Sequence, residues 1–107
     1  MTLNVDLSNK VALVTGASSG IGKGVSEAFA KNGCKVYVNY PPSEGESSAS
    51  EIVESIKKTG NLAALAPGDV TQPDQVNTMI SEILKAENQI DILINNAGIA
   101  RSAPIHK

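Results

Sequence analysis

The chain has 107 residues, of which 41% are hydrophobic and 19% charged, with a formal net charge of −2 at pH 7. This length suits one domain with a modest core, and the core must be aliphatic because aromatic residues make up only 3%. The charge gives no electrostatic case for nucleic acid or an anionic membrane. No apolar run approaches the ~20 residues that span a bilayer, and residues 1–10 lack a signal-peptide pattern. The single cysteine, Cys34, excludes an internal disulfide and favours a reducing, cytoplasmic location.

Four short apolar runs predict the β-strands of the chain, at residues 10–14, 35–39, 62–66 and 90–94. Between them, apolar residues recur at helical spacing, which predicts three helices. Because helices alternate with strands, the order β-α-β-α-β-α-β predicts an α/β fold of the Rossmann type. Its sheet would be parallel, with right-handed crossovers and helices on both faces.

The predicted elements end at residues with known capping behaviour. Gly33 and Gly60 predict the C-terminal caps of the first two helices. Thr71 predicts the N-cap of the third helix, with Pro73 in its first turn. Pro67, directly after the third strand, predicts that this strand lies at an edge of the sheet.

A glycine-rich turn joins the first predicted strand to the first predicted helix, and it reads Thr15-Gly16-Ala17-Ser18-Ser19-Gly20-Ile21-Gly22. A helix N-terminus offers free N–H groups and a partial positive charge, which together bind a pyrophosphate. We expect Gly16 to make the turn, Gly20 to let the backbone approach the phosphates, and Gly22 to let the helix pack on the strand. Ser18 and Ser19 would add hydroxyl donors. The spacing is Gly-x-x-x-Gly-x-Gly rather than Gly-x-Gly-x-x-Gly, so the turn taken alone also fits a plain βα loop rich in Gly and Ser.

Together with two later motifs, the chain resembles the classical short-chain dehydrogenase/reductase family. Residues 15–22 match the family's Thr-Gly-x-x-x-Gly-x-Gly turn, Asp69-Val70 match its adenine-contacting Asp-Val pair, and residues 95–98 match its Asn-Asn-Ala-Gly motif. Residues 10–16 and 90–96 most resemble the 3-oxoacyl-[acyl-carrier-protein] reductase branch, which serves fatty acid biosynthesis. The resemblance implies strand order 3-2-1-4, in one dinucleotide-binding domain over residues 1–107 that is truncated before the remaining strands of the family.

The resemblance also implies roles for the matched positions. Asp69 would accept a hydrogen bond from the adenine amino group, and Val70 would pack beside the ring. Asn96, Ala97 and Gly98 would line the cofactor between adenosine and nicotinamide. Without the resemblance, Asp69 fits a solvated turn acid equally well, and the paired asparagines fit a polar turn.

The end of the second predicted strand bears on the choice between NADP and NAD. An acidic residue at this point would bind the ribose 2′-OH and repel a 2′-phosphate, but the chain has Asn39 followed by Tyr40. Ser43 and backbone N–H groups could then hold a phosphate, although residues 39–47 contain no Arg or Lys. We therefore expect a preference for NADP(H) over NAD(H); the alternative is that Asn39 is a strand-end residue that selects nothing. The complete predicted cofactor site comprises Gly16, Ala17, Ser18, Ser19, Gly20, Ile21, Gly22, Asn39, Tyr40, Ser43, Asp69, Val70, Asn96, Ala97 and Gly98.

The sequence lacks the catalytic residues that the resemblance would imply. Hydride transfer to a carbonyl needs an acid that protonates the oxygen, and the family uses Tyr-x-x-x-Lys with an upstream Ser. The two tyrosines, Tyr37 and Tyr40, are each followed four residues later by something other than lysine. His106 reads as a solvated residue and Cys34 as a small buried filler, so we predict no catalytic residue and no metal site.

We therefore expect the NADP(H)-binding N-terminal part of a short-chain oxidoreductase, which binds a dinucleotide without turning over a substrate. The parent activity would be reduction of a 3-oxoacyl thioester or a similar ketone. Two alternatives stay open: a non-catalytic binding or regulatory module, and a truncated product without its own function. Because the fourth strand would be an open edge, we expect low stability and association through it, with another copy or a full-length relative.

Overall fold

The computed structural model describes residues 5–16 and 20–95, which form alternating strands and helices in the predicted order. The elements are β1 (Val11–Thr15), α1 (Gly20–Lys31), β2 (Lys35–Tyr40), α2 (Glu46–Lys58), β3 (Ala63–Pro67), α3 (Pro73–Glu87) and β4 (Ile92–Asn95).

The four strands make one parallel sheet in the order β3-β2-β1-β4, as expected. β1 pairs with β2 on one side, where Val11 lies opposite Lys35, and with β4 on the other, where Ala12 lies opposite Ile92. The direction of strand addition therefore reverses at β1. In open α/β sheets, ligands bind in the crevice that such a reversal opens beyond the carboxyl ends of the strands.

Each face of the sheet is covered by helices and carries its own aliphatic cluster. This is why β1 is buried at all five positions and shows no polar alternation. On one face, α1 and α2 cover a cluster that includes Ala12, Val14, Val25, Val36, Val38, Ile52 and Ile56. On the other face, α3 covers a cluster made of Val11, Leu13, Tyr37, Ala66, Met79 and Ile83.

β4 is the less protected edge of the sheet. Ile92 and Ile94 are half-buried against the α1–α2 cluster. Leu93 points to the opposite face, where it is 36% exposed. At the other edge, β3 ends at Pro67, which confirms the edge position predicted from the proline.

The predicted C-terminal caps are confirmed, whereas the predicted N-cap of α3 is wrong. Gly33 and Gly60 have φ angles of +100° and +85°, and their N–H groups bond back to the carbonyls of the last helical turn. The N-cap of α3 is Gln72, with no side-chain capping bond. Thr71 instead donates its N–H and its hydroxyl to the Asp69 carboxylate, because a neighbouring Asp offers these groups a local alternative to the helix.

Candidate functional site

The three sequence motifs follow β1, β3 and β4, so the parallel sheet brings their starting points to one edge. Thr15, the last residue of β1, has its hydroxyl 3.1 Å from Oδ1 of Asn95 and 3.3 Å from the carbonyl oxygen of Ile94. These contacts join the start of the first motif to the start of the third. The rest of the third motif, Asn96, Ala97 and Gly98, lies outside the described residues, as do Ala17, Ser18 and Ser19.

Two glycines with different surroundings mark the passage from β1 to α1. Gly16 turns the chain with a φ of +63°, in the left-handed region that favours glycine. α1 begins at Gly20, and a Cβ added there would meet no described atom within 4 Å. The described part of the fold therefore does not itself require glycine at this position. Gly22, in the same turn of the helix, is buried. Beside Gly20, the large apolar side chain of Ile21 is 70% exposed.

The C-terminal end of β2 does not present its side chains as expected. Asn39 is only 3% exposed, and its amide nitrogen lies 2.9 Å from the carbonyl oxygen of Ala66 and 3.0 Å from that of Gly68. An amide NH₂ carries two hydrogens, so both are committed inside the fold. Tyr40 is buried in the α1–α2 cluster, and Ser43 is exposed in the loop that follows. Asn39 therefore has no NH₂ hydrogen left to donate to a ligand at the end of β2. What remains relevant to the predicted ribose site is that this position carries no carboxylate.

The loop between β3 and α3, residues 68–72, is tied to the elements around it. The N–H of Gly68 donates to the carbonyl of Tyr40 at 2.9 Å. The N–H of Asp69 donates to Oε1 of Gln75, in the first turn of α3, at 2.8 Å. Oδ1 of Asp69 accepts the hydroxyl of Thr71 at 2.7 Å and the N–H of Thr71 at 2.9 Å. These two bonds lower the pKa of the Asp69 carboxyl, which favours the charged, acceptor-only form. Oδ2 is the other acceptor oxygen of this carboxylate.

A second polar cluster lies at the opposite, amino-terminal edge of the sheet. Oε2 of Glu87, at the end of α3, is 2.6 Å from Nζ of Lys35 and accepts the hydroxyl of Tyr37 at 2.5 Å. The Lys35 ammonium and the Tyr37 hydroxyl lower the pKa of Glu87. Burial, and then the bond to Glu87, raises the pKa of Tyr37. None of the strand-end motifs includes these residues. No local sequence pattern predicts the cluster, because its members come from different elements.

Other candidate chemistry is not found among residues 5–16 and 20–95. No three His, Cys, Asp or Glu residues lie together in an arrangement that could hold a metal ion. Burial raises the pKa of the Cys34 thiol to about 11, so this cysteine is neutral at physiological pH. Within the same ranges, none of the helices has both the length and the apolar character that crossing a bilayer requires.

The fold and the motif at β1 define a Rossmann-type dinucleotide-binding unit, and sequence comparison identifies its family. Residues 10–107 match the family model of the short chain dehydrogenases, so the chain belongs to the short-chain dehydrogenase/reductase family. It is 45% identical over 97 residues to the short-chain dehydrogenase/reductase homolog YusS of Bacillus subtilis (strain 168), a match that covers 91% of this chain and 87% of that protein.

Longer proteins match the same region. The hydroxynaphthalene reductase-like protein Arp2 of Metarhizium guizhouense (strain ARSEF 977) is 42% identical over 92 residues, which cover 86% of this chain and 34% of that protein. Among solved structures, a metagenomic short-chain oxidoreductase in complex with NADP superposes with a TM-score of 0.81 at 29% identity, covering 87% of this chain and 41% of that one. The chain therefore spans nearly the length of the Bacillus protein, but only about a third of the length of the Metarhizium protein.

Proposed function

We propose that this chain is the NADP(H)-binding N-terminal part of a short-chain oxidoreductase. The observation that carries the proposal is that α1 begins at the reversal point of the sheet, where a Cβ added to Gly20 would meet no described atom within 4 Å. The first backbone N–H groups of a helix point out from its N-terminus, which carries a partial positive charge, and a pyrophosphate is an anion that suits such a position.

The strand order gives the bound dinucleotide a direction. With the pyrophosphate beyond β1, one nucleoside extends over β2 and β3 toward Asp69, and the other over β4 toward Asn95. Asp69 carries a charged acceptor that suits the amino group of adenine, which supports adenosine on the β2–β3 side. The nicotinamide, on the β4 side, would supply or accept the hydride. Asn96, Ala97 and Gly98 belong to the proposed site by their match to the family motif.

For the cofactor itself, we propose NADP(H) in preference to NAD(H). The end of β2 carries Asn39 and Tyr40 where a carboxylate would repel a 2′-phosphate, and the hydroxyl of Ser43 is exposed nearby. The structural neighbour that was solved with NADP supports the same choice. Titration with NADPH and NADH tests it: tighter binding of NADPH is expected, and equal or tighter binding of NADH would contradict it.

Two variants of α1 test whether the helix N-terminus holds the phosphates. Gly20→Asp places a carboxylate against the pyrophosphate and should therefore weaken binding. It should not destabilise α1, because an acidic residue in the first turn stabilises a helix. Gly24→Asp is the matched control, because a Cβ at Gly24 also meets no described atom within 4 Å and the added charge is the same. Isothermal titration calorimetry with NADPH should show binding that Gly20→Asp weakens at least about tenfold, while Gly24→Asp changes it much less. Equal affinities of wild type and Gly20→Asp would exclude the turn from binding.

The parent activity that we propose is reduction of a 3-oxoacyl thioester or a similar ketone in the cytoplasm, and we propose that these 107 residues bind the cofactor without turnover. The support for the second part is the sequence, in which neither Tyr37 nor Tyr40 is followed by the paired lysine. The buried Tyr37 hydroxyl is also engaged by Glu87, at the edge of the sheet opposite the site. Consumption of NADPH by the purified chain with an acetoacetyl thioester would overturn the non-catalytic part of the proposal.

We further propose that the chain associates through β4, with a second copy or with a longer family member. β4 is an edge strand of the described sheet, and its Leu93 is 36% exposed although it lies on the same face as α3. Sedimentation velocity should show concentration-dependent association that Leu93→Lys reduces. A strictly monomeric wild-type chain at all concentrations, alone and mixed with a longer relative, would refute association through this strand.

A further inference from the structure

The peptide unit between Gly68 and Asp69 is held from both sides. Its carbonyl oxygen, on Gly68, accepts from the side chain of Asn39 at 3.0 Å. Its N–H, on Asp69, donates to the side chain of Gln75 at 2.8 Å. Because a peptide unit is planar and its C=O and N–H point in opposite directions, two partners at its two ends determine the orientation of the whole plane.

The orientation of this plane determines where the Asp69 side chain leaves the backbone. From that point, Thr71 holds one carboxylate oxygen through two bonds, of 2.7 and 2.9 Å. The Asp69 carboxylate is thus positioned in two stages: Asn39 and Gln75 set its backbone plane, and Thr71 sets its side chain. Neither Asn39 nor Gln75 needs to touch a ligand for this effect.

The side chain of Asn39 is buried, and its NH₂ group is held inside the fold. It is 3% exposed, and its NH₂ also bonds the carbonyl of Ala66 and contacts Sδ of Met79 at 3.1 Å. A shorter or apolar side chain would leave two buried carbonyl groups without this donor, which costs more than the bond itself is worth. The interaction therefore ties the end of β2 to the loop that carries Asp69.

We propose that Asn39 is a positioning residue for the adenine-binding carboxylate of Asp69, acting through Gly68, and not a residue that selects between NADP and NAD by contact. The proposal rests on the dinucleotide binding proposed above. It assigns Gln75 the same task from the other end of the peptide unit.

The test compares NADPH with its hypoxanthine analogue, in which a carbonyl replaces the 6-amino group of adenine. If Asp69 accepts a hydrogen bond from that amino group, the wild-type chain binds NADPH about tenfold tighter than the analogue. Asp69→Asn is the reference variant that loses this preference. General damage to the fold would weaken both ligands equally and leave their ratio unchanged, so the ratio reports the position of the carboxylate.

The variants are Asn39→Ser, which is too short to reach Gly68, and Gln75→Leu, which removes the acceptor from an exposed position on α3. Both should bring the ratio of the two affinities to within about threefold of unity. Gln75→Glu keeps an acceptor oxygen and should restore the wild-type ratio. The NADPH-to-NADH affinity ratio should stay unchanged in Asn39→Ser.

The outcomes separate this inference from the proposed function. If the folded wild-type chain does not bind NADPH, the proposed function fails and the inference falls with it. If the wild-type chain binds NADPH without an adenine preference, or if the variants keep the preference, the inference alone is refuted. A shift in the NADPH-to-NADH ratio of Asn39→Ser would instead identify Asn39 as a selecting residue. Should Asn39→Ser not fold by circular dichroism, Gln75→Leu and Gln75→Glu decide the question from the same peptide unit.

Discussion

Replacing Glu87 by glutamine tests how firmly the end of α3 is held to the sheet. One carboxylate oxygen serves both Lys35, at 2.6 Å, and the Tyr37 hydroxyl, at 2.5 Å. The side chains of Lys35 and Glu87 are 33% and 16% exposed, so the ion pair is only partly shielded from water and contributes about 0.5–1 kcal/mol. Glutamine can still accept from Tyr37, but a bond to a neutral acceptor is weaker by about 1 kcal/mol than one to a carboxylate.

The two losses add to about 2 kcal/mol in the free energy of unfolding of Glu87→Gln at pH 7. For a domain of this size, the melting temperature should fall by roughly 8–16 °C. Urea denaturation followed by circular dichroism gives the free energy directly, with an unchanged m-value expected because the surface exposed on unfolding is the same.

The pH dependence of the difference gives the decisive check. The folded state lowers the pKa of Glu87 below its ordinary 4.5, so the stabilisation by the carboxylate is present above that pH and is lost as the pH falls through the folded pKa. The pKa values of Lys35 and Tyr37 are raised above 10.5 and 10.0, so their contribution is lost only as the pH rises beyond those values. Wild type and variant should therefore differ across the neutral range and converge at low pH. Equal stability at pH 7, or a difference that persists after Glu87 is protonated, would refute this reasoning.

Three further predictions concern the fold. Cys34 is buried with a pKa of about 11, so alkylation of the native protein at pH 7 should proceed only as fast as the protein opens; labelling at the rate of a free thiol would contradict this. Leu13→Ala should cost about 2–5 kcal/mol, since Leu13 is 1% exposed in the α3-side cluster, and a loss below about 1 kcal/mol in urea denaturation would argue against that packing. Gly60→Ala and Gly24→Ala both add a methyl group that meets no described atom within 4 Å. They should nevertheless act in opposite directions in thermal melts: Gly60 has a φ of +85° and Ala costs about 1 kcal/mol there, whereas at the helical Gly24 Ala gains up to about 1 kcal/mol. Shifts of the same sign would show that the backbone conformation is not the cause.

Residues close together in the chain determined most of the fold. Apolar spacing over a few residues specifies each strand and helix. The C-terminal ends of the first two helices, at Gly33 and Gly60, are specified by the freedom of glycine to adopt a positive φ. The alternation of elements then leaves little choice but a parallel sheet, and the observed order is the one that the family resemblance implies. The turn at Gly16 could likewise be predicted from its motif, because a glycine with a positive φ between a strand and a helix is a local structure.

Only the tertiary structure decided what the polar side chains at the strand ends do. Asn39 stands where a residue in contact with the ribose was expected, yet its acceptors are carbonyls of Ala66 and Gly68, far along the chain but adjacent across the sheet. Glu87 likewise finds Lys35 and Tyr37 only because α3 returns over β2. The physical reason is that a buried donor or acceptor must be satisfied by whatever group packing places beside it, and a sequence pattern that reaches a few residues either way does not include that group.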